Sequence, residues 1–397
     1  MLWVEVDLQT WFRRCMPETK PLPIGTRFDA PEVVLDGRER VMYPGLNVAF
    51  NSYLETIGCT AFTTRCTATR KAEVTAHATN ASDRLAVHGG SCPDLVIFPT
   101  HGEAAKTYRL TNDDTVEHCD AAHDEASNGL VPGSEESRPP PAPVPVMPEG
   151  GSAPPSPSPV SDDPLAKATH AKMSWHWAEV VVEVKHSTEW FPFMPNDFLP
   201  QGKKSRISRG QITHHAAQIA ATQHRQSVLL VLILKGDARL LRFDRNGAAV
   251  SEPFDYVSHP EIIGEFLYRA FCSPESKAEA CRGHDPTAKP AALADAEFFR
   301  ALHERYDQGS TVAKALKRAA SDGWPIYELD VHGIWSEDGA APLNHTSPRS
   351  LSTHRCLVGR PEYASSSMVG RGTKCFVAWD LQLRQPLLIK DTWRPTR

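Results

Sequence analysis

Between residues 178 and 244 the hydrophobic period changes from two to near 3.6 and back to two, and that succession leaves few folds open. AEVVVEVK at 178–185 alternates as a strand does, with Val180, Val182 and Val184 on one face and Val181, Glu183 and Lys185 on the other. GQITHHAAQIAATQHR at 210–225 sets Ile212, Ala216, Ile219 and Ala220 along one helical stripe. SVLLVLIL at 227–234 and ARLLRFD at 238–244 then read as two strands joined by a tight turn at Lys235, Gly236 and Asp237. The order predicts an α/β (α+β) fold: a mixed sheet flanked by helices.

Upstream, 43–57 reads as a helix and CPDLVIF at 92–98 as a short buried strand bounded by Gly90 and Pro99. Twelve of the 33 prolines fall between Pro132 and Pro164, behind an acidic run. Such a stretch cannot bury enough apolar surface to offset its ordering entropy, so 113–170 is expected to be a disordered insertion inside one domain. Residues 1–112 and 171–290 are then the two parts of that domain. Helices are expected at 260–272 and across 291–320, with 291–324 a helical connector, and short strands return in 325–397.

Totals narrow the class further. A net charge of -5 and a pI near 6.4 argue against a protein coated in positive charge for nucleic acid. The nine cysteines show no C-x-x-C spacing and read as reduced thiols. Glu5, Asp7, Arg13 and Arg14 interrupt the N-terminal segment where a secretory signal needs an apolar core. The longest apolar run is far below the ~20 residues that a spanning helix needs. These features predict a soluble intracellular protein, cytoplasmic or nuclear, with no membrane partner.

The strand at 178–185 also carries chemistry. Glu183 and Lys185 emerge side by side, a hard oxygen ligand beside a cation, as metal-dependent phosphodiester cleavage requires. A second carboxylate is expected from a neighbouring strand, and Pro93-Asp94 stands at the start of LVIF. Pro93-Asp94 with Glu183-Val184-Lys185 resembles the PD-(D/E)-x-K signature of the restriction-endonuclease-like superfamily. That resemblance implies a nuclease-like fold with Asp94, Glu183 and Lys185 as catalytic residues. It also implies Mg²⁺ or Mn²⁺ on Asp94, Glu183 and an acidic residue of the first helix, Glu39 or, second, Glu55. Gln211 and His215 resemble a supporting Gln-x-x-x-Tyr element, with His where Tyr is expected. Nucleic acid is the partner this reading implies.

The C-terminal region resembles a protein kinase's opening hairpin. Gly370-Arg371-Gly372 with Val377 is similar to G-x-G-x-x-G-x-V, with Cys375 at the third glycine, and Leu388-Ile389-Lys390 is similar to V-A-I-K. Together with Arg209-Gly210-Gln211, the hairpin ending at 238–271 and the 282–287 stretch RGHDPT, the series resembles the fungal-type protein kinase family. The resemblance implies ATP with Mg²⁺ at Gly370, Gly372, Val377 and Lys390, and a protein substrate. The chain stops seven residues after Lys390 without an H-R-D-x-x-x-x-N or D-F-G motif, so it is expected to be inactive as a kinase alone.

Lys203, Lys204, Arg206 and Arg209 are expected in a solvated loop. His214, His215 and His224 have no i, i+4 ligand spacing and predict no zinc site. Trp175, Trp177, Trp190, Phe191 and Phe193 are expected to pack as core. Three readings compete: a kinase-like chain, a metal-dependent nuclease, and a silent binding module on the nuclease-like fold.

Overall fold

A computed structural model describes residues 1–17, 27–29, 33, 35, 39–68, 92–111, 116–117, 160–161, 168–272, 275–335 and 350–393. The expected disordered insertion at 113–170 lies outside the described residues, apart from a short antiparallel pair, β4 (Val116–Glu117) with β5 (Val160–Ser161), and the last three positions.

The first sheet is mixed and runs in the order β1 (Leu2–Val6), β9 (Gly247–Ser251), β8 (Asp237–Phe243), β7 (Val228–Leu234), β6 (Val180–Lys185), β3 (Leu95–Pro99), β2 (Phe62–Cys66). A two-residue β10 (Phe254–Asp255) pairs with β8. β2, β3 and β6 are antiparallel neighbours, whereas β6 and β7 are parallel. A parallel neighbour needs a crossover, and α4 (Lys203–Thr222) supplies it. The helix begins seven residues before the predicted start, so Lys203, Lys204, Arg206 and Arg209 stand in its first turns rather than in a loop. Lys204 pairs with Glu189, and Arg209 donates to the carbonyls of Pro192 and Pro200 at 2.7 Å. Those local acceptors hold in helical form a stretch that its charge alone made look like loop.

The neighbouring strands β3, β6 and β7 are buried on both faces, which explains their Val-, Leu- and Ile-rich sequences. One face packs Val180, Val182, Val184, Val231 and Ile233 against α1 (Leu8–Cys15), α2 (Glu39–Thr56) and α5 (Pro260–Phe271). The other packs Val96, Phe98, Val181, Leu230 and Leu232 against α3 (Gly102–Tyr108) and α4, with Phe191 and Phe193 in the same core. Cys59 and Cys272 are joined by a disulfide, correcting the expectation of nine reduced thiols. Their Cα atoms are 6.1 Å apart because the turn after α2 meets the end of α5, a proximity invisible at a sequence separation of 213.

After α6 (Glu275–Cys281), a second, wholly antiparallel sheet runs in the order β11 (Ala288–Pro290), β12 (Tyr327–Trp335), β13 (Ser350–Val358), β15 (Lys374–Asp380), β14 (Tyr363–Ala364), with β16 (Gln385–Asp391) on the other edge of β15. The helices predicted as a connector, α7 (Leu293–Ala301) and α8 (Thr311–Ala319), lie on one face of this sheet, where Phe299 and Leu316 meet Leu357 and Trp379. No helix among the described residues is long and apolar enough to cross a membrane.

Gly359 shows how tightly this layer closes. Arg360 donates its backbone N–H to the carbonyl of Ala319 at 2.8 Å, and a Cβ on Gly359 would come within 2.1 Å of that same oxygen. Gly359→Ala is therefore expected to cost about 2 kcal/mol, in the range of core overpacking. A melting temperature equal to that of the unaltered protein would show that the contact relaxes.

Candidate functional site: a buried carboxylate–lysine cluster

β3 and β6 pair in the register Leu95↔Val182, which carries Asp94 alongside the end of β6. Both halves of the sequence motif meet there. Asp94 Oδ2 accepts the backbone N–H of Val184 at 2.7 Å, and its Oδ1 accepts the hydroxyl of Tyr43 at 2.6 Å. Lys185 Nζ donates to Glu183 Oε1 at 2.7 Å and to the Val184 carbonyl at 3.0 Å, and lies 3.7 Å from Glu39 Oε1. His215, from α4, brings Nε2 to 3.2 Å from Glu183 Oε2, close but not aligned as a hydrogen bond. Its ring stacks on Trp175 at 5.7 Å. Gln211 precedes His215 by one helical turn.

The second helix, α2, and not the first, delivers Glu39, and it does not deliver Glu55. Glu39 opens α2 and faces the cluster, whereas Glu55 is exposed, 16 residues on and so about 24 Å along the axis. Tyr43 went unnoticed in the sequence. The signal was its i, i+4 spacing from Glu39, since one helical turn lets the hydroxyl reach both Glu39, at 3.1 Å, and Asp94.

Burial governs the electrostatics. Asp94 is 6 % exposed, Glu183 2 %, Lys185 5 % and His215 0 %. Burial, with the neighbouring Glu183 carboxylate, raises the Asp94 pKa well above the usual carboxylate range. Burial raises Glu39 too, against the pull of Lys185. Burial also opposes ionisation of Glu183, but Lys185 and His215 outweigh it and hold that carboxyl at about 2. The Lys185 ammonium, likewise opposed by burial, is raised by Glu183, Asp94 and Glu39. One charged pair thus persists beside an aspartate that holds its proton more tightly.

This arrangement does not fit a divalent metal. Both oxygens of Asp94 already accept protein hydrogen bonds, and Lys185 occupies Glu183 Oε1. Glu183 Oε2 faces a histidine nitrogen, where Mg²⁺ prefers two or more hard oxygens. Among the described residues, no group of three or more His, Cys, Asp or Glu side chains is disposed to hold a metal ion.

The residues matched to a kinase hairpin are spread along the meander β14, β15, β16. Gly370 and Gly372 take positive φ, +87° and +49°, in the loop before β15. The loop is closed on the first sheet: Gly370 N–H donates to the Arg245 carbonyl at 3.0 Å, and Arg245 Nη1 donates to the carbonyl of Ser367 at 2.8 Å. A Cβ on Gly372 would lie 2.1 Å from the Arg245 guanidinium carbon. In register, Val377 lies opposite Leu388 and Lys390 opposite Cys375, which puts Val377 and Lys390 on one face of the sheet. Lys390 is exposed there.

Comparison with family models, with curated proteins and with solved structures returns no match to this chain.

The cluster's charges assign opposite fates to its two carboxylates. Glu183→Gln leaves a buried ammonium without its counter-ion and is expected to cost about 3–5 kcal/mol. Asp94→Asn keeps an acceptor for Val184 N–H and is expected to cost under about 1 kcal/mol at pH 7. Because the folded Asp94 pKa is raised, its contribution is full below the unfolded value and fades as pH rises through the folded one. The Asn variant should therefore gain on the unaltered protein as pH rises. Glu183 runs the other way: its contribution fades only as pH falls from about 4.5 towards 2. Urea denaturation of both variants at pH 3, pH 6 and pH 9 checks these signs.

Proposed function

We propose that this chain is a non-catalytic docking platform of the kind expected in a fungal-type kinase-like protein: a nuclease-like α/β unit that holds a kinase-like antiparallel hairpin. The carrying observation is the seat of the glycine loop. Arg245, from the turn between β8 and β9, is 7 % exposed and fills the space that Gly372 leaves, while donating to the Ser367 carbonyl. Met368, from the same loop, is buried in the core of the first unit. Lys374 is buried too and donates to the carbonyl of Gln223, and His224 stacks on Phe376 at 5.1 Å. Burial lowers the Lys374 pKa to about 8.

A loop seated in this way offers its backbone to an arginine rather than to phosphates. The kinase resemblance is therefore read as ancestry of the hairpin, and phosphotransfer is not assigned to these 397 residues. The nuclease resemblance is read in the same sense, since Asp94, Glu183 and Lys185 are buried and the cation at Glu183 is Lys185. A helix, a three-strand antiparallel meander, a crossover helix and a parallel strand support the nuclease-like reading of the first unit.

Two measurements test this. Arg245→Ala should release the loop, so that limited trypsin cleavage after Arg371 accelerates by roughly tenfold or more, as expected when about 1.4 kcal/mol of closure is lost. An unchanged rate would remove the docking role from Arg245. With Mg²⁺ or Mn²⁺, the protein should cleave DNA and RNA no faster than an Asp94→Ala, Lys185→Ala double variant. Faster cleavage would restore the nuclease reading.

A further inference from the structure

Where the two sheets meet lies a half-open cavity of about 740 Å³, and neither the carboxylate cluster nor the glycine loop lines it. Its size falls within the roughly 300–1,000 Å³ of small-molecule sites, which favour junctions of this kind. The walls come from both sides: Phe62 on β2, Phe271 at the end of α5 and Trp177 from the first unit, and Tyr327 on β12 from the second. These rings provide flat apolar surfaces for a planar guest.

The polar end of the cavity is fixed before any ligand arrives. Glu179 Oε2 takes hydrogen bonds from Arg225 and Arg282 at 2.8 Å each, and lies 2.9 Å from His284 Nε2. Arg282 is held in turn over the rings of Phe62 and Phe271, at 5.0 and 5.3 Å. Burial opposes the charge on Glu179, but Arg225, His284 and Arg282 keep its pKa well below the usual range. Burial and Arg225 lower His284 to about 4, leaving its ring neutral at physiological pH. Gln226 is exposed at the cavity, and its amide carries both a donor and acceptors.

Charge then selects the guest. Glu179, Glu279 and Asp285 face Arg282 and Lys289 in the lining, with Arg225 behind Glu179 and Asp330 3.4 Å from Lys289, so the positive groups are matched by at least as many negative ones. No positive surplus remains to neutralise a phosphate or a carboxylate. We propose that this cavity binds a neutral, planar heteroaromatic molecule of purine size, its rings against Trp177 and Tyr327 and its donor–acceptor edge towards Gln226 and His284. The site stands independently of the docking role, because it rests on the cavity's own walls.

The full chain is titrated with 2-aminopurine riboside, followed by the nucleoside's fluorescence, with ATP as a charged comparison. Saturable binding tighter than about 1 mM is expected, with ATP roughly tenfold weaker because its phosphates find no surplus cation. Ala288→Trp fills the cavity from β11, and Ala61→Trp fills it from an exposed position on the opposite wall. Each should weaken the nucleoside by roughly tenfold or more, and Ala61→Trp keeps the comparison decisive if Ala288→Trp melts early. No saturable binding, equal affinity in a folded Trp variant, or ATP binding as tightly as the nucleoside would overturn the proposal.

Discussion

The antiparallel pairing of β3 with β6 is the contact on which the rest of the first unit depends. It joins strands from either side of the proline-rich region, and bringing together segments so distant in sequence costs entropy. In return, Leu95, Val96 and Ile97 meet Val180, Val181 and Val182 with both faces buried. The same register sets Asp94 beside Val184, so the apolar fit of two strands also decides where the charges go. Shifting the register by one residue would turn Glu183 and Lys185 to the α2 face and push valines into the polar cluster.

Once so placed, the charged groups are governed by burial more than by the chemistry their types suggest. An acidic pair beside a lysine is suited to activating water on a metal, but only where solvent and ion can reach it. Here Lys185 supplies the cation internally, Tyr43 and Val184 occupy Asp94, and His215 closes the remaining side. Removing one partner from such a cluster costs more than the cluster contributes as a whole, because an unpaired buried charge is left behind. Its contribution is therefore to specificity: this strand register sets Asp94 against the Val184 N–H and Lys185 against Glu183.

Much of the α/β architecture was legible because period and composition agree within each segment. The 178–185 alternation and the 227–234 run became the strands expected within two residues, and the 210–225 stripe became a helix that starts seven residues earlier. Asp94, Glu183 and Lys185 were legible as a group because their order and their strand positions belong together. What could not be read is contact made through space. Tyr43 acts through a helical turn, Cys59 reaches Cys272 across 213 residues, and Arg245 meets Gly372 between two sheets. The first turns of α4 were misread because their basic residues find acceptors at Glu189, Pro192 and Pro200, none of which a local pattern reveals.

The ammonium of Lys185 bonds Glu183 where a metal ion would otherwise sit, in a cluster whose Asp94, Glu183 and Lys185 are buried. Crystals soaked in millimolar Mn²⁺, measured at a wavelength where manganese scatters anomalously, test it most directly. The account predicts no anomalous peak among Asp94, Glu183 and Glu39, with Lys185 Nζ still bonded to Glu183. A peak within coordination distance, about 2.1–2.2 Å, of oxygens from Asp94 and Glu183, with Lys185 displaced, would contradict it.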